Sequence, residues 1–211
     1  MAVSKRILIT AGPTQEMIDP VRFISNFSTG EMGYRIAEAA ERRGYQVTLL
    51  TGPTFIQPPK NVKVIPFQSG TDLSQKLIRE FKKTDCLFMS AAISDYAPAK
   101  VAGRKIKRDQ HLNLKLKATP DILKKLIPLK KKQIVVGFCL ETESLEKHAT
   151  RKLREKKLDY IVGNFLSPRS NPFGVGKTNI LILDKQGSRL WLRNKSKKFI
   201  ANFLLNKICS F

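Results

Sequence analysis

Apolar residues follow two rhythms along this chain. Short runs of consecutive apolar positions occur at Arg6–Ala11 (RILITA), Gln46–Thr51 (QVTLLT), 62–67, 85–93 (DCLFMSAAI), 133–138 and 159–162. Runs of this length, rich in β-branched residues, predict strands covered on both faces. Between them the apolar positions recur at helical spacing. Ile36, Ala37, Ala39 and Ala40 fall on one side of 33–43, and Leu73, Leu77, Ile78 and Phe81 on one side of 71–83. Gly44 closes the first of these helices as a C′ glycine would. A highly charged helix is predicted over 142–156 and a closing one over 196–208. Strands alternating with helices predict an α/β fold with a doubly wound, mostly parallel sheet and right-handed crossovers. The runs 179–184 and 189–192, split by Lys185-Gln186-Gly187-Ser188, predict an antiparallel edge hairpin. No internal repeat or linker breaks the pattern, so 1–211 reads as a single domain.

Two segments do not fit the alternation. Residues 13–29 form a long excursion between the first strand and its helix. Residues 97–117 are polar, basic and irregular, with a strand expected only at 112–116. Long loops in compact domains usually carry function or are disordered. Both follow strands of the parallel sheet, and ligands of such sheets bind beyond the carboxyl ends of the strands, so the two loops can reach one site. Ser28, Thr29, Gly30 and Gly33 lead into the first helix. Its N-terminus suits a phosphate, although Ser28 or Thr29 serves equally as a plain N-cap. Ala91-Ala92-Ile93-Ser94-Asp95-Tyr96 sets an acid just past a buried strand. Asp95 can accept hydrogen bonds from a ribose or base, help hold a metal, or simply start a loop. Lys105-Ile106-Lys107-Arg108 is either a solvated basic run or a flap whose lysine stabilises charge developing on phosphorus. Lys152 and Lys156, four apart, share one helix face, which is either solvated or built for an anion.

Charge and composition narrow the classes. Lys and Arg number 39 against 17 Asp and Glu, a formal charge of +22. Such an excess is either spread over solvated surfaces or steers a polyanion, whether a phosphorylated small molecule or nucleic acid. Cys86, Cys139 and Cys209 are scattered with no CxxC pair, which argues against a disulfide framework or structural zinc site and suits a reducing cytoplasm. No apolar leader or membrane-length run is present. His111 and His148 have no metal-spaced partner, so no metal-ligand set is assigned. The absence of GxxxxGK[ST] means that any nucleotide is not held by a Walker loop. A nicotinamide-dependent oxidoreductase on a Rossmann-like sheet is one alternative. Against it, the glycines do not follow the first strand directly, and Thr51-Gly52-Pro53 offers no acid for a ribose. A nucleic-acid-binding module is another, but its basic runs lack interleaved aromatics.

The segments Ile9-Thr10-Ala11-Gly12-Pro13-Thr14, Ile18-Asp19-Pro20-Val21-Arg22-Phe23-Ile24-Ser25-Asn26 and Ser28-Thr29-Gly30-Glu31-Met32-Gly33 together resemble the start of phosphopantothenate–cysteine ligases. Ala91 to Tyr96, Lys105-Ile106-Lys107, Thr119-Pro120-Asp121-Ile122, Val136-Gly137-Phe138 with Glu141-Thr142, and Leu158 to Asn164 continue the resemblance in order. It implies a Rossmann-like doubly wound sheet with a basic flap. It also implies a ligase of coenzyme A biosynthesis that joins 4′-phosphopantothenate to L-cysteine. In that family an acyl-nucleotidylate forms first, pyrophosphate leaves, and cysteine then displaces the nucleoside monophosphate. The bacterial look of the Lys105 flap implies CTP rather than ATP, hence an acyl-cytidylate, with Mg2+ as the divalent cation. By the same resemblance Asn26 lies at the intermediate's carbonyl region and Lys105 closes over it in catalysis. Asp95, Thr119, Pro120, Asp121, Ile122, Phe138, Lys152 and Lys156 are nucleotide-binding positions, and Ser28, Gly30 and Ala91 are placed with them. A cytoplasmic homodimer is implied, with no membrane or nucleic-acid partner. The sequence departs from the family pattern at Glu31, where a lysine is common, at Phe165, and at Val175-Gly176-Lys177.

Overall fold

Side chains alternate between two cores along the strands. In β1 (Arg6–Ala11), Ile7, Ile9 and Ala11 join one buried cluster while Leu8 joins the other. Strands β6 (Cys86–Met89) and β11 (Thr178–Asp184) divide in the same way: Cys86, Phe88, Ile180 and Ile182 face one side, and Leu87, Met89, Leu181 and Leu183 the other. This two-residue period is why the strands read as continuous apolar runs: each face is covered by helices. Helices α1 (Glu31–Glu41) and α5 (Lys197–Cys209) cover the first face. On the second lie α2 (Gly70–Phe81), the short α3 (Ile122–Leu126) and α4 (Leu145–Glu155). Ser69 caps α2 by accepting from the Asp72 amide at 3.2 Å, and Asp121 caps α3 by accepting from the Lys124 amide at 3.1 Å.

The computed structural model describes residues 4–109, 111–167, 171–173 and 176–209. With β4 (Gln46–Thr51), β5 (Lys63–Pro66), β9 (Ile134–Glu141), β10 (Tyr160–Phe165) and β12 (Arg189–Lys195), the sheet runs β12-β11-β10-β9-β6-β1-β4-β5. All neighbours are parallel except β10–β11 and β11–β12, so the predicted α/β class and antiparallel edge are both present. The chain adds β4 and β5 on one side of β1 and then returns to place β6 on the other. That reversal creates a crevice at the carboxyl ends of β1 and β6.

Three local expectations shift. The 13–29 excursion contains a small hairpin, β2 (Gln15–Met17) with β3 (Phe23–Ser25). The strand expected at 112–116 lies later, as β8 (Leu116–Ala118), paired with β7 (Tyr96–Pro98). Leu112 and Leu114 remain exposed, since β7 offers partners only from Leu116 onward. The strand expected over 85–93 leaves the sheet after Met89, because Ser90 Oγ donates to Thr10 O at 2.6 Å and Thr10 Oγ1 takes the Ala91 amide at 3.1 Å. Among the described residues no helix is long and apolar enough to cross a membrane.

Candidate active site

The crevice is shaped by a close meeting of backbone. Gly30 precedes α1 in the left-handed region at φ 80°, and a Cβ there would lie 3.0 Å from the Gly12 nitrogen. A Cβ on Gly33 would sit 2.5 Å from Ala11 Cβ and 2.7 Å from Ser90 Oγ. The first turn of α1 therefore packs directly on the ends of β1 and β6. Gly30 supplies no side-chain cap; Ser28 and Thr29 hydroxyls accept weakly from Gly30 N (3.3 Å) and Glu31 N (3.4 Å). The positive end of α1 thus faces the crevice.

Two cavities adjoin there. One, of about 180 Å³, is lined by Ser28 to Gly33, Ser90 to Ala92, Phe138, Asn164 and Lys197. The other, of about 440 Å³, is lined by Ala91, Asp95, Thr119, Pro120, Asp121, Ile122, Phe138, Lys152 and Lys156. Ala91 and Phe138 belong to both. The structure thus gathers into one place nine residues spread from 91 to 156, every one of them marked in the sequence for nucleotide binding, with Ser28 and Gly30 next door. Thr119 fixes the wall of the second cavity: its amide donates to Asp95 O at 2.9 Å and its hydroxyl to Ser94 O at 2.7 Å. Lys156 pairs with Asp121, and Lys152 Nζ donates to Phe138 O at 3.4 Å. Partial burial works to raise the Asp121 carboxyl, but the Lys156 hydrogen bond and the Lys124 amide outweigh it and hold the group below the usual carboxylate range.

Asn26 is exposed at the lip. Its Nδ2 donates to Ala92 O at 3.1 Å and lies 3.5 Å from Ser94 Oγ. Ser94 is buried and donates its amide to Thr14 Oγ1 at 3.0 Å, so the loop after β1 and the loop after β6 are stitched together beneath Asn26. Lys105 is exposed and lines neither cavity. Its neighbour Ile106 is anchored, donating its amide to Asp19 Oδ2 at 3.1 Å and accepting from Arg22 Nη2 at 2.9 Å. Asp19 is fully buried and also accepts from the amides of Val21 and Arg22. The Arg22 guanidinium and these amides outweigh burial and hold the Asp19 carboxyl well below the usual range.

Sequence reasoning marked Glu31 only as a departure and did not single out Lys197. The structure joins them: Lys197 Nζ donates to Glu31 Oε2 at 2.8 Å, with side-chain exposures of 6% and 12%. Arg35 adds a second cation at 3.7 Å. The acid at the start of α1 is therefore countered by two cations. No local signal marks Lys197, because its partner lies 166 positions away. Asp19 had a signal, an Asx-type turn into Arg22, which went unused. Of the other departures, Phe165 is exposed at the end of β10, Lys177 is exposed before β11, and Val175 lies outside the described residues. Among the described residues no group of three or more His, Cys, Asp or Glu side chains forms a metal cluster.

Comparison with known proteins bears on these features. The family model for the DNA/pantothenate metabolism flavoprotein C-terminal domain matches residues 2–211. The coenzyme A biosynthesis bifunctional protein CoaBC of Bacillus subtilis (strain 168) is 40% identical over 208 residues, covering 98% of this chain and 51% of that protein. The protein of the same description from Haemophilus influenzae is 39% identical over 204 residues, covering 96% and 50%. The chain thus spans about half the length of the curated relatives it matches. Among solved structures, the C-terminal domain of a CoaBC protein superposes with a TM-score of 0.82 at 40% identity, covering 97% of this chain and 93% of that one. The DNA/pantothenate metabolism flavoprotein from Streptococcus pneumoniae gives 0.86 at 26% identity, covering 98% and 99%. A Cab2 mutant in complex with phosphopantothenate-cysteine shares the fold, with a TM-score of 0.79 at 20% identity, covering 98% of this chain and 85% of that one.

Proposed function

The chain belongs to the family of the DNA/pantothenate metabolism flavoprotein C-terminal domain, and on that premise we propose that it joins 4′-phosphopantothenate to L-cysteine at the expense of CTP. The observation that carries this reading is the cavity shared by Ala91, Asp95, Thr119 to Ile122, Phe138, Lys152 and Lys156, set against the N-terminus of α1 and the Asn26 amide. Lys152 and Lys156 in this cavity, and the N-terminus of α1 in the adjoining one, supply positive charge that suits a triphosphate.

In the first step the phosphopantothenate carboxylate attacks the α-phosphorus of CTP. A new P–O bond forms, the bond to the β-phosphate bridge breaks, and pyrophosphate leaves with the electron pair. In the second, the cysteine ammonium gives one proton to solvent and the free amine attacks the acyl carbon of the acyl-cytidylate; the acyl C–O bond breaks, CMP leaves with the electron pair, and the nitrogen gives its second proton to solvent. Neither step needs a side-chain nucleophile. What the protein supplies is position and positive charge. In this reading Lys152 and Lys156 turn from Phe138 O and Asp121 to the nucleotide, Lys105 closes over the reacting phosphorus, and Asn26 orients the acyl oxygen. A divalent cation, Mg2+, would be carried mainly by the phosphates, as is usual for this ion, with Asp95 as the protein carboxylate. When bound it neutralises triphosphate charge. A second copy of the chain is the inferred partner. The support is the exposure of Phe23 and Phe55 in the lining of an apolar cavity of about 1260 Å³ beside α1, with Phe27 exposed as well.

The test is pyrophosphate release from CTP with Mg2+ and phosphopantothenate, with and without cysteine. Release that requires phosphopantothenate is the expected result; none with either CTP or ATP would sink the reading. Asn26→Asp should let pyrophosphate leave but slow amide formation, and equal rates for both steps in the variant would remove Asn26 from that role.

A further inference from the structure

Lys197 is a buried cation in a position its own helix does not favour. It lies in the first turn of α5, which has no acidic residue there, so the helix dipole opposes its charge. Its side chain is 6% exposed, and a buried charge is costly unless countered. It nevertheless lines the 180 Å³ cavity together with Gly30 to Gly33 and with Ala91 and Phe138, which belong to both cavities. The counter-charge is Glu31, which lines the same cavity and is also reached by Arg35. Two cations thus converge on one carboxylate at the mouth of a site read as phosphate-binding.

We propose that Lys197 is a further substrate-binding residue whose ammonium transfers from the Glu31 carboxylate to a phosphate group of the substrate, Glu31 holding that place until the phosphate arrives. The inference deepens the ligase reading and rests on it for the identity of the phosphate, which belongs either to the nucleotide or to phosphopantothenate. A carboxylate and a phosphate oxygen accept the same charge-assisted hydrogen bond, so the exchange keeps Lys197 paired throughout. Arg35 retains Glu31 once Lys197 has left.

The experiment combines calorimetric binding of inorganic pyrophosphate and CTP with steady-state kinetics on Lys197→Met, Glu31→Gln, the double variant and Lys197→Arg. Loss of one charge-assisted hydrogen bond predicts binding weaker by roughly 10- to 100-fold in Lys197→Met. Glu31→Gln removes the competitor and should tighten binding several-fold, while Lys197→Arg should stay within several-fold of the parent. The double variant decides the matter. If Lys197 touches the phosphate, the double variant remains about 10-fold or more weaker than Glu31→Gln; if it merely masks Glu31, the double variant recovers full affinity and the proposal falls. Should Lys197→Met not fold, the comparison of Glu31→Gln with the double variant still decides, since neither leaves a carboxylate unmasked. A rise in KM for CTP alone assigns the nucleotide phosphates, and a rise for phosphopantothenate alone assigns its phosphate. Unchanged binding and unchanged KM for both overturn the proposal. A parent protein that binds pyrophosphate through Lys197 yet never releases it from CTP or ATP would refute the ligase reading and leave Lys197 in place.

Discussion

The two ends of the parallel sheet carry their charges in opposite ways. At the amino ends, carboxylates are saturated. Asp85 accepts from the Arg6 amide at 2.8 Å and pairs with its guanidinium at 2.9 Å. Asp159 is buried and takes the Val135 amide at 2.9 Å, Lys130 at 2.6 Å and Lys185 at 2.7 Å. Each of these acids ties one strand to the next. At the carboxyl ends Asp19 is equally saturated where it anchors the flap, but two other ion pairs face cavities: Lys156 rests on Asp121 and Lys197 on Glu31. The same residue types tie strands together at one end and, in the proposed function, receive a ligand at the other. The difference lies in how many donors each carboxylate already satisfies.

The strongest way to break this division is at the flap. Lys105→Gln should cut turnover by about 100-fold or more while leaving the urea midpoint unchanged, because Lys105 is exposed. A parallel loss of stability would show that the carboxyl end is structural too. Gly33→Ala comes next. Its methyl meets Ala11 and Ser90, so overpacking should cost about 1–3 kcal/mol in urea unfolding and also weaken CTP binding.

The amino end should respond the other way. Asp159→Asn should lower stability by about 2 kcal/mol with little change in KM, whereas Asp85→Asn, whose ion pair is roughly half exposed, should cost less than about 1 kcal/mol. The pH dependence sharpens the contrast. Burial pushes the Asp159 carboxyl up, but Lys130 and Lys185 outweigh it; the Arg6 hydrogen bond chiefly lowers Asp85. Both are held below their unfolded value of about 3.9. A lowered folded pKa stabilises above the unfolded value, so this contribution is full at neutral pH and lost as pH falls below about 4 through the folded values. Acid unfolding curves of the parent and of Asp159→Asn should therefore converge at low pH; curves that stay parallel would remove Asp159 from that role.

The central strands were legible because consecutive apolar residues have one explanation when both faces are covered. Lys152 and Lys156 were legible as a face because four-residue spacing is local. Helix α3, five residues long, is too short to show a period. The strand near Leu112 was misplaced because isolated apolar residues in a basic loop do not specify a partner, and β7 pairs only from Leu116. Asp19 carries a local signal in its turn into Arg22, but its contact with Ile106 lies 87 positions away and that of Lys197 with Glu31 lies 166 away. Spacing rules do not reach that far.

The packing of α5 on α1 has a consequence for synthesis. The apolar side of α1 is covered by a helix that leaves the ribosome more than 150 residues later. Closing so long a span is entropically unfavourable, and contacts of high sequence separation form late. A nascent chain ending short of Lys197 leaves the side of α1 that packs on α5 uncovered and lacks the Lys197 lining of the smaller cavity. That stretch of translation is when the molecule is most open to aggregation and to chaperone capture.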